Sequence, residues 1–135
     1  MTERKPVAPY MALGLSTVVY GISKRADIKR NLDNIENIIH GALSTCNINL
    51  PVKIIALPEG ALTGFTDEVF DLPHRLCANE LFIEIPGPET ERLAELAKMY
   101  DTYIIGQSKS RWPEVLPDLY FNTMFIISPG GEVVH

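Results

Sequence analysis

The pattern of apolar and polar positions predicts a chain that alternates between β-strands and α-helices. Four segments rich in branched and aromatic residues are typical of strands: 11–22, 53–57, 103–107 and 120–127. An amphipathic helix is predicted between the first two strands, because apolar residues recur there at helical spacing, at Ile28, Leu32, Ile35, Ile39 and Ala42. Gly41 is expected to weaken the end of this helix, and residues 44–51 are predicted to form a loop.

A second helix is predicted to begin at Pro88. Proline suits the first helical turn, and the acidic Glu89 and Glu91 suit the positive end of the helix dipole. Residues 66–84 show no clear period, and we expect a loop and a short helix that pack over a site. The last strand is predicted to form a hairpin, with a turn at residues 129–131 and a returning strand from Glu132.

The order of these elements predicts an α/β fold in which an antiparallel strand joins a sheet begun otherwise. Residues 53–57 lack polar alternation, so we expect this strand to be central and covered on both faces. Residues 1–10 are predicted to form an arm, and residues 11–135 the domain. The returning strand is cut short at His135, and we expect the chain to be the N-terminal half of a protein about twice as long.

Composition narrows the class of protein further. The chain has 135 residues, of which 46% are hydrophobic and 21% charged, which suits one domain with a packed core. The net charge is −5 and no basic stripe is present, so no nucleic-acid partner is expected. Cys46 and Cys77 lack CxxC spacing and His40, His74 and His135 are far apart, so no metal site or disulfide is expected. No segment has the roughly 20 apolar residues of a membrane span, and we expect a cytoplasmic protein.

The candidate chemistry lies where the apolar segment 53–57 ends at Pro58-Glu59-Gly60. Proline lacks an N–H and ends the strand, and glycine permits a sharp turn, so Glu59 would stand at the carboxyl edge of the sheet, where α/β folds place their sites. Its apolar neighbours are expected to desolvate it and raise its pKa towards that of a general base. The alternative is a glutamate that caps or pairs at a strand end on the surface.

Three segments, in order, resemble the nitrilase superfamily, the carbon–nitrogen hydrolases. They are "VKIIALPEGALTGF", with Pro58, Glu59, Gly64 and Phe65; "IPGPETERLAELAKMYDTYIIGQ", where Gly-Pro opens a helix; and "YFNTMFIISPGGEVVH", with its glycine turn. Residues 11–135 are covered, with a lean towards the amidase and formamidase side. The resemblance implies a four-layer α-β-β-α sandwich, of which this chain would supply an incomplete N-terminal half.

The resemblance also implies a Glu-Lys-Cys triad that hydrolyses an amide or nitrile through a thioester, with no metal or organic cofactor. Only Glu59, as general base, matches a position in this chain. The lysine and the nucleophilic cysteine would lie beyond His135, so the chain alone is expected to be inactive. Family members commonly form homo-oligomers, which the resemblance implies here as well. The substrate would be a small amide or nitrile.

The remaining candidate residues are expected to have structural roles or to lie near the predicted site. Cys46 and Cys77 lack the strand-to-helix setting of a nucleophile and are predicted to be structural. Phe65 is a candidate for the substrate pocket, with a core aromatic as the alternative. Asn122 is expected to bond the backbone or to fix the hairpin. The four remaining positions are Lys53, predicted at the far end of the sheet, Lys98 and Lys109, both predicted to be solvated, and Trp112, either an interface anchor or a loop plug.

Two other classes of protein are alternatives to the hydrolase. One is a non-catalytic relative with the same fold that serves as an assembly or binding module and keeps Glu59 as a structural residue. The other is a nucleotide-binding α/β domain. The second is disfavoured because neither GxGxxG nor GxxxxGK[ST] follows any predicted strand.

Overall fold

A computed structural model describes residues 6–135, so the first five residues of the predicted arm lie outside the described range. The strands are β1 (Met11–Gly14), β2 (Val52–Ala56), β3 (Tyr103–Ser110) and β4 (Phe121–Ile127). The helices are α1 (Ile28–Cys46), α2 (Thr66–Val69), α3 (His74–Leu76) and α4 (Pro88–Tyr100), with a 3₁₀ turn at Arg25–Asp27 and a π-helical turn at Cys77–Leu81.

The four strands form one sheet in the order β1-β2-β3-β4. β1, β2 and β3 are parallel, and β4 pairs antiparallel with β3. A parallel pair needs a crossover, and α1 and the segment ending in α4 supply the two crossovers. The predicted α/β order, closed by an antiparallel strand, is confirmed.

One face of the sheet is covered by α1 and α4. The apolar stripe of α1 is buried at Ile35 and Ile39, and that of α4 at Leu93, in one core that includes Ile55 of β2 and Ile104 of β3. Each of these five side chains is fully buried. The helical periods read from the sequence therefore face the sheet, as predicted.

The other face of the sheet is open across the described residues. Tyr103 is 43% exposed and Met124 55%, and with Ile54, Ile105 and Ile126 they line a shallow apolar groove. We call this surface the open face. The expectation that β2 is covered on both faces is therefore wrong for residues 6–135: its central place is confirmed, but Ile54 on its second side lines this groove and is only partly buried.

Several boundaries differ from the prediction for physical reasons. β1 ends at Gly14, because its partner β2 ends at Ala56 and the strand has nothing to pair with beyond the bond from Leu15 N–H to the Ala56 carbonyl (2.9 Å). α1 continues through Gly41 to Cys46, because the buried Leu43 holds its last turns on the core. These corrections leave the layer order unchanged.

The predicted hairpin turn is present. Gly131 has φ +82°, and the N–H of Ser128 donates to the Glu132 carbonyl at 2.8 Å. The residues after the turn pair back onto β4 through Val134 N–H and the Ile126 carbonyl at 2.9 Å. The chain therefore reverses at the predicted place.

Candidate active site

The turn after β2 carries Glu59 past the carboxyl edge of the sheet. The last bond between β2 and β3 at this edge runs from Leu57 N–H to the Ile105 carbonyl at 2.8 Å, and Pro58 has no N–H to continue it. Gly60 adopts φ +71°, a conformation that favours glycine. The Pro-Glu-Gly sequence therefore ends the strand and turns the chain at Glu59, as predicted.

Two amide side chains connect this turn to the neighbouring strands. Gly60 N–H donates to Gln107 Oε1 on β3 at 2.9 Å, and Gln107 Nε2 donates to Asn122 Oδ1 on β4. Asn122 Nδ2 in turn lies 3.5 Å from Glu59 Oε1 and donates to it. We call Gly60, Gln107, Asn122 and Glu59 the amide relay. Its side chains come from β3, from β4 and from the turn that follows β2, and these are three consecutive strands of the sheet.

Glu59 itself is exposed within the described residues. The expectation that its apolar neighbours desolvate it is therefore wrong for this part of the chain. Ala61 and Leu62 turn into the core instead, with 1% and 0% exposure, so they pack beneath the turn and do not cover the carboxylate. Any burial of Glu59 would require residues outside the described range.

The segment after Glu59 is fastened to the connection between β1 and α1. Asn31 of α1, which is 1% exposed, donates from Nδ2 to the carbonyls of Leu62 (2.7 Å) and Tyr20 (2.9 Å). Thr66 Oγ1 accepts from Ile22 N–H at 2.7 Å. A buried polar group that bonds two backbone segments holds them in register, so this loop has a defined position.

An ion pair anchors the far end of the same segment. Lys109 Nζ lies 3.1 Å from Asp67 Oδ2, with both side chains 17% exposed, and Tyr120 donates its O–H to the same oxygen at 3.1 Å. Burial on its own would raise the pKa of Asp67, but the bonds from Lys109, its own backbone and Tyr120 hold that pKa below its ordinary value. Burial and then Asp67 raise the pKa of Tyr120 to about 12. The prediction that Lys109 is solvated is wrong, because it faces a carboxylate fixed in the fold.

Of the other candidate residues, Phe65 lies beside the turn of Glu59, and Lys53 lies at the opposite end of the strand. Phe65 is half-buried, and its Cζ atom lies 3.3 Å from where a Cβ on residue 60 would stand, so its ring packs against the turn of Glu59. Lys53 pairs with Asp101 at the opposite end of β2. Cys77 is fully buried, and burial raises the pKa of its thiol, which disfavours the thiolate. Cys46 ends α1, half-buried.

The remaining candidates take part in local packing. Trp112 is 37% exposed and stacks beside Phe121 at 5.4 Å between ring centroids. His40 contacts Tyr100 between α1 and α4, and His74 Nε2 bonds the Asp118 carbonyl at 2.9 Å. Within residues 6–135, His, Cys, Asp and Glu form no group of three or more that could hold a metal ion. No helix in this part of the chain is long and apolar enough to cross a membrane.

Sequence reasoning missed Gln107, and it gave Asn122 a different partner from the one found. The available signal for Gln107 was a polar side chain in an apolar strand, on the same face as Tyr103 and Ile105. Because β2 and β3 are parallel neighbours, that polar position lies beside the turn at Glu59. Asn122 was expected to bond the backbone or to fix the hairpin, and its side chain bonds those of Gln107 and Glu59.

The comparisons with known proteins identify the family of this chain. The chain belongs to the carbon-nitrogen hydrolase family, whose model matches residues 14–135. A formamidase of Bacillus cereus (strain Q1) is 28% identical over 130 residues, which are 96% of this chain and 36% of the relative. The chain thus spans about a third of the length of the curated relatives it matches.

Solved structures confirm the predicted fold class. Saccharomyces cerevisiae Nit3, a member of branch 10 of the nitrilase superfamily, superimposes with a TM-score of 0.62 at 19% identity, over 85% of this chain and 39% of Nit3. An N-terminal amidase superimposes with a TM-score of 0.62 at 17% identity, over 81% of this chain and 24% of the amidase. The described layer is therefore part of a nitrilase-type α/β fold.

Proposed function

We propose that this chain supplies the general base of an enzyme that hydrolyses amide carbon–nitrogen bonds. The observation that carries the proposal is the position of Glu59, which leaves a central strand at the carboxyl edge and accepts a hydrogen bond from Asn122. Membership of the carbon-nitrogen hydrolase family and similarity to a formamidase support the reaction class. Because the relatives are about three times as long, the activity is assigned to the complete protein.

In this proposal Glu59 moves protons in both halves of the reaction. It removes the proton from a cysteine thiol, and the resulting thiolate attacks the amide carbon. A lysine ammonium stabilises the oxyanion, and the protonated Glu59 gives its proton to the departing amine as the carbon–nitrogen bond breaks and the thioester forms. Glu59 then deprotonates a water molecule that attacks the thioester, which releases the acid and restores the thiol.

The nucleophile of this reaction is assigned to residues outside this chain. Cys77 is buried with a raised thiol pKa, and Cys46 ends α1 just before the start of β2, whereas Glu59 follows the opposite end of that strand. Lys109 is committed to Asp67. We therefore propose that the 135-residue chain alone has no hydrolase activity.

The substrate class follows from the same relatives. A small amide suits a formamidase-like enzyme, and Phe65, packed beside the turn of Glu59, is proposed to line the acyl pocket. We further propose a cytoplasmic homo-oligomer that uses no cofactor. The proposal includes no nucleic-acid or membrane partner.

Ammonia release from formamide, acetamide and propionamide by the complete protein tests the proposal. Glu59→Gln keeps the size of the side chain and removes its basicity, so we expect a loss of about 100-fold or more in kcat. Glu114→Gln, at an exposed glutamate in the loop between β3 and β4, is the matched control and should retain full activity. An active Glu59→Gln enzyme would contradict the role of Glu59 as general base. A wild-type protein that releases no ammonia would favour the alternative, a non-catalytic assembly module in which Glu59 is structural.

A further inference from the structure

The amide relay has a direction that the backbone imposes. Gly60 N–H can only donate, so the Gln107 atom 2.9 Å away must be the oxygen. That choice places the Gln107 NH₂ group towards Asn122, whose oxygen must then accept, and whose own NH₂ group must point to Glu59. A chain of two amides thus delivers an N–H to Glu59 Oε1, and a flip of either amide would break this chain.

We propose that Gln107 and Asn122 are positioning residues for the general base, an inference that rests on the proposed function. Glu59 is exposed and sits in a turn, so its carboxylate would otherwise sample several rotamers. The bond to Oε1 ties one oxygen to β4 and leaves Oε2 as the oxygen that takes up a proton. The relay therefore fixes both the place of the carboxylate and the oxygen that reacts.

The register of the strands explains why these two side chains meet. Gln107 pairs with Met124 across β3 and β4, and Lys109 pairs with Asn122, so Gln107 and Asn122 are diagonal neighbours on the open face. Glu59 reaches them from the end of the next strand, β2. Three adjacent strands therefore hold the carboxylate, and a shift of any one of them would break the relay.

The test compares steady-state kinetics of the complete protein with those of Asn122→Ala, Gln107→Ala and the double variant. We expect each single variant to lose about tenfold in kcat, the equivalent of one hydrogen bond to a charged group, with KM within twofold of the wild type. Because the two residues act in series, the double variant should lose no more than Asn122→Ala. Thr123→Val breaks a bond on the opposite face of the same strands, from Thr123 Oγ1 to Ser110 Oγ at 2.6 Å, and should retain kcat.

Gln107→Glu separates positioning of Glu59 from support of the turn. It keeps the acceptor for Gly60 N–H but has no donor for Asn122, so we expect kcat to fall as in Gln107→Ala, and this variant stands in should the double variant fail to fold. Any of four results would overturn the relay: a fully active Gln107→Glu enzyme, additive losses of kcat in the double variant, an effect confined to KM, or an equal loss of kcat in Thr123→Val. If Glu59→Gln is inactive while the relay variants are fully active, only the relay is wrong; a wild-type protein that releases no ammonia overturns the proposed function itself.

Discussion

Gly64 is the position at which a single methyl group should damage the fold most. Its φ is +64°, and a Cβ there would stand 2.5 Å from the Tyr20 carbonyl oxygen and 2.7 Å from Gly21 Cα. The obstacle is backbone, which cannot rotate away as a side chain can. The connection between β1 and α1 crosses the loop of Glu59 at this point, and only glycine leaves room for the crossing.

The cost of Gly64→Ala can be worked from two contributions. The left-handed conformation costs a residue with a Cβ about 1–2 kcal/mol. Forcing the two backbone segments apart costs about 1–3 kcal/mol more, as overpacking does in other cores. We expect the free energy of unfolding to fall by about 2–5 kcal/mol.

Urea denaturation of the complete protein, followed by circular dichroism, measures this difference. Gly41→Ala is the matched control, because Gly41 lies in α1 with nothing within 4 Å of a Cβ, and alanine there should raise stability by about 0.5–1 kcal/mol. Gly60→Ala should fall between the two, because the nearest obstacle is the movable Val19 Cγ1 at 3.1 Å. A loss below about 1 kcal/mol in Gly64→Ala would refute the crossing as the reason for this glycine.

Three further predictions concern the ion pair and the open face. Lys109→Met leaves Asp67, which is 17% exposed, without its cation, and should lower the free energy of unfolding in urea by about 2 kcal/mol. Lys98→Met removes a cation from a carboxylate that is 71% exposed, and should lower it by about 0.5 kcal/mol or less. Equal losses in the two variants contradict the burial argument. Because folding lowers the pKa of Asp67, its charged form stabilises the fold above pH 3.8. The free energy of unfolding lost in Asp67→Asn should therefore shrink as the pH falls below about 4. A difference in urea midpoints that stays constant from pH 7 to pH 3 contradicts this pH dependence. The 135-residue chain expressed alone should associate through its open face, and Met124→Lys should weaken that association in sedimentation runs, whereas a monomeric wild-type chain refutes it.

Local signals were sufficient for much of the fold. α4 begins at Pro88, as predicted, because a proline and two nearby acids mark a helix start through short-range effects. The predicted end of β1 was wrong because a strand extends only as far as the strand it pairs with. The sequence of residues 15–22 does not indicate where β2 ends. The helical residues 44–46 were missed because packing of Leu43 outweighs the weak preference of one glycine.

For the candidate site as well, part could be predicted from the sequence and part could not. The turn of Glu59 could be predicted, because Pro58 and Gly60 act on their own backbone. The relay could not, because Gln107 and Asn122 meet through the register of β3 with β4, and Asn122 lies 63 residues along the chain from Glu59. The solvated Lys109 was a wrong prediction for the same reason, since its partner Asp67 is 42 residues away. The desolvation of Glu59 was wrong because its apolar neighbours turn inward.

Accumulation of the acyl-enzyme tests the role of Glu59 most directly. The complete protein is mixed with formamide or acetamide, quenched with acid on the millisecond scale and weighed intact by mass spectrometry. If Glu59 deprotonates the nucleophilic thiol, the wild type forms an acylated species and Glu59→Gln forms it at least about 100-fold more slowly, with an unchanged fold. A Glu59→Gln protein that acylates at the wild-type rate would contradict the account, because the thiol would then lose its proton without this carboxylate.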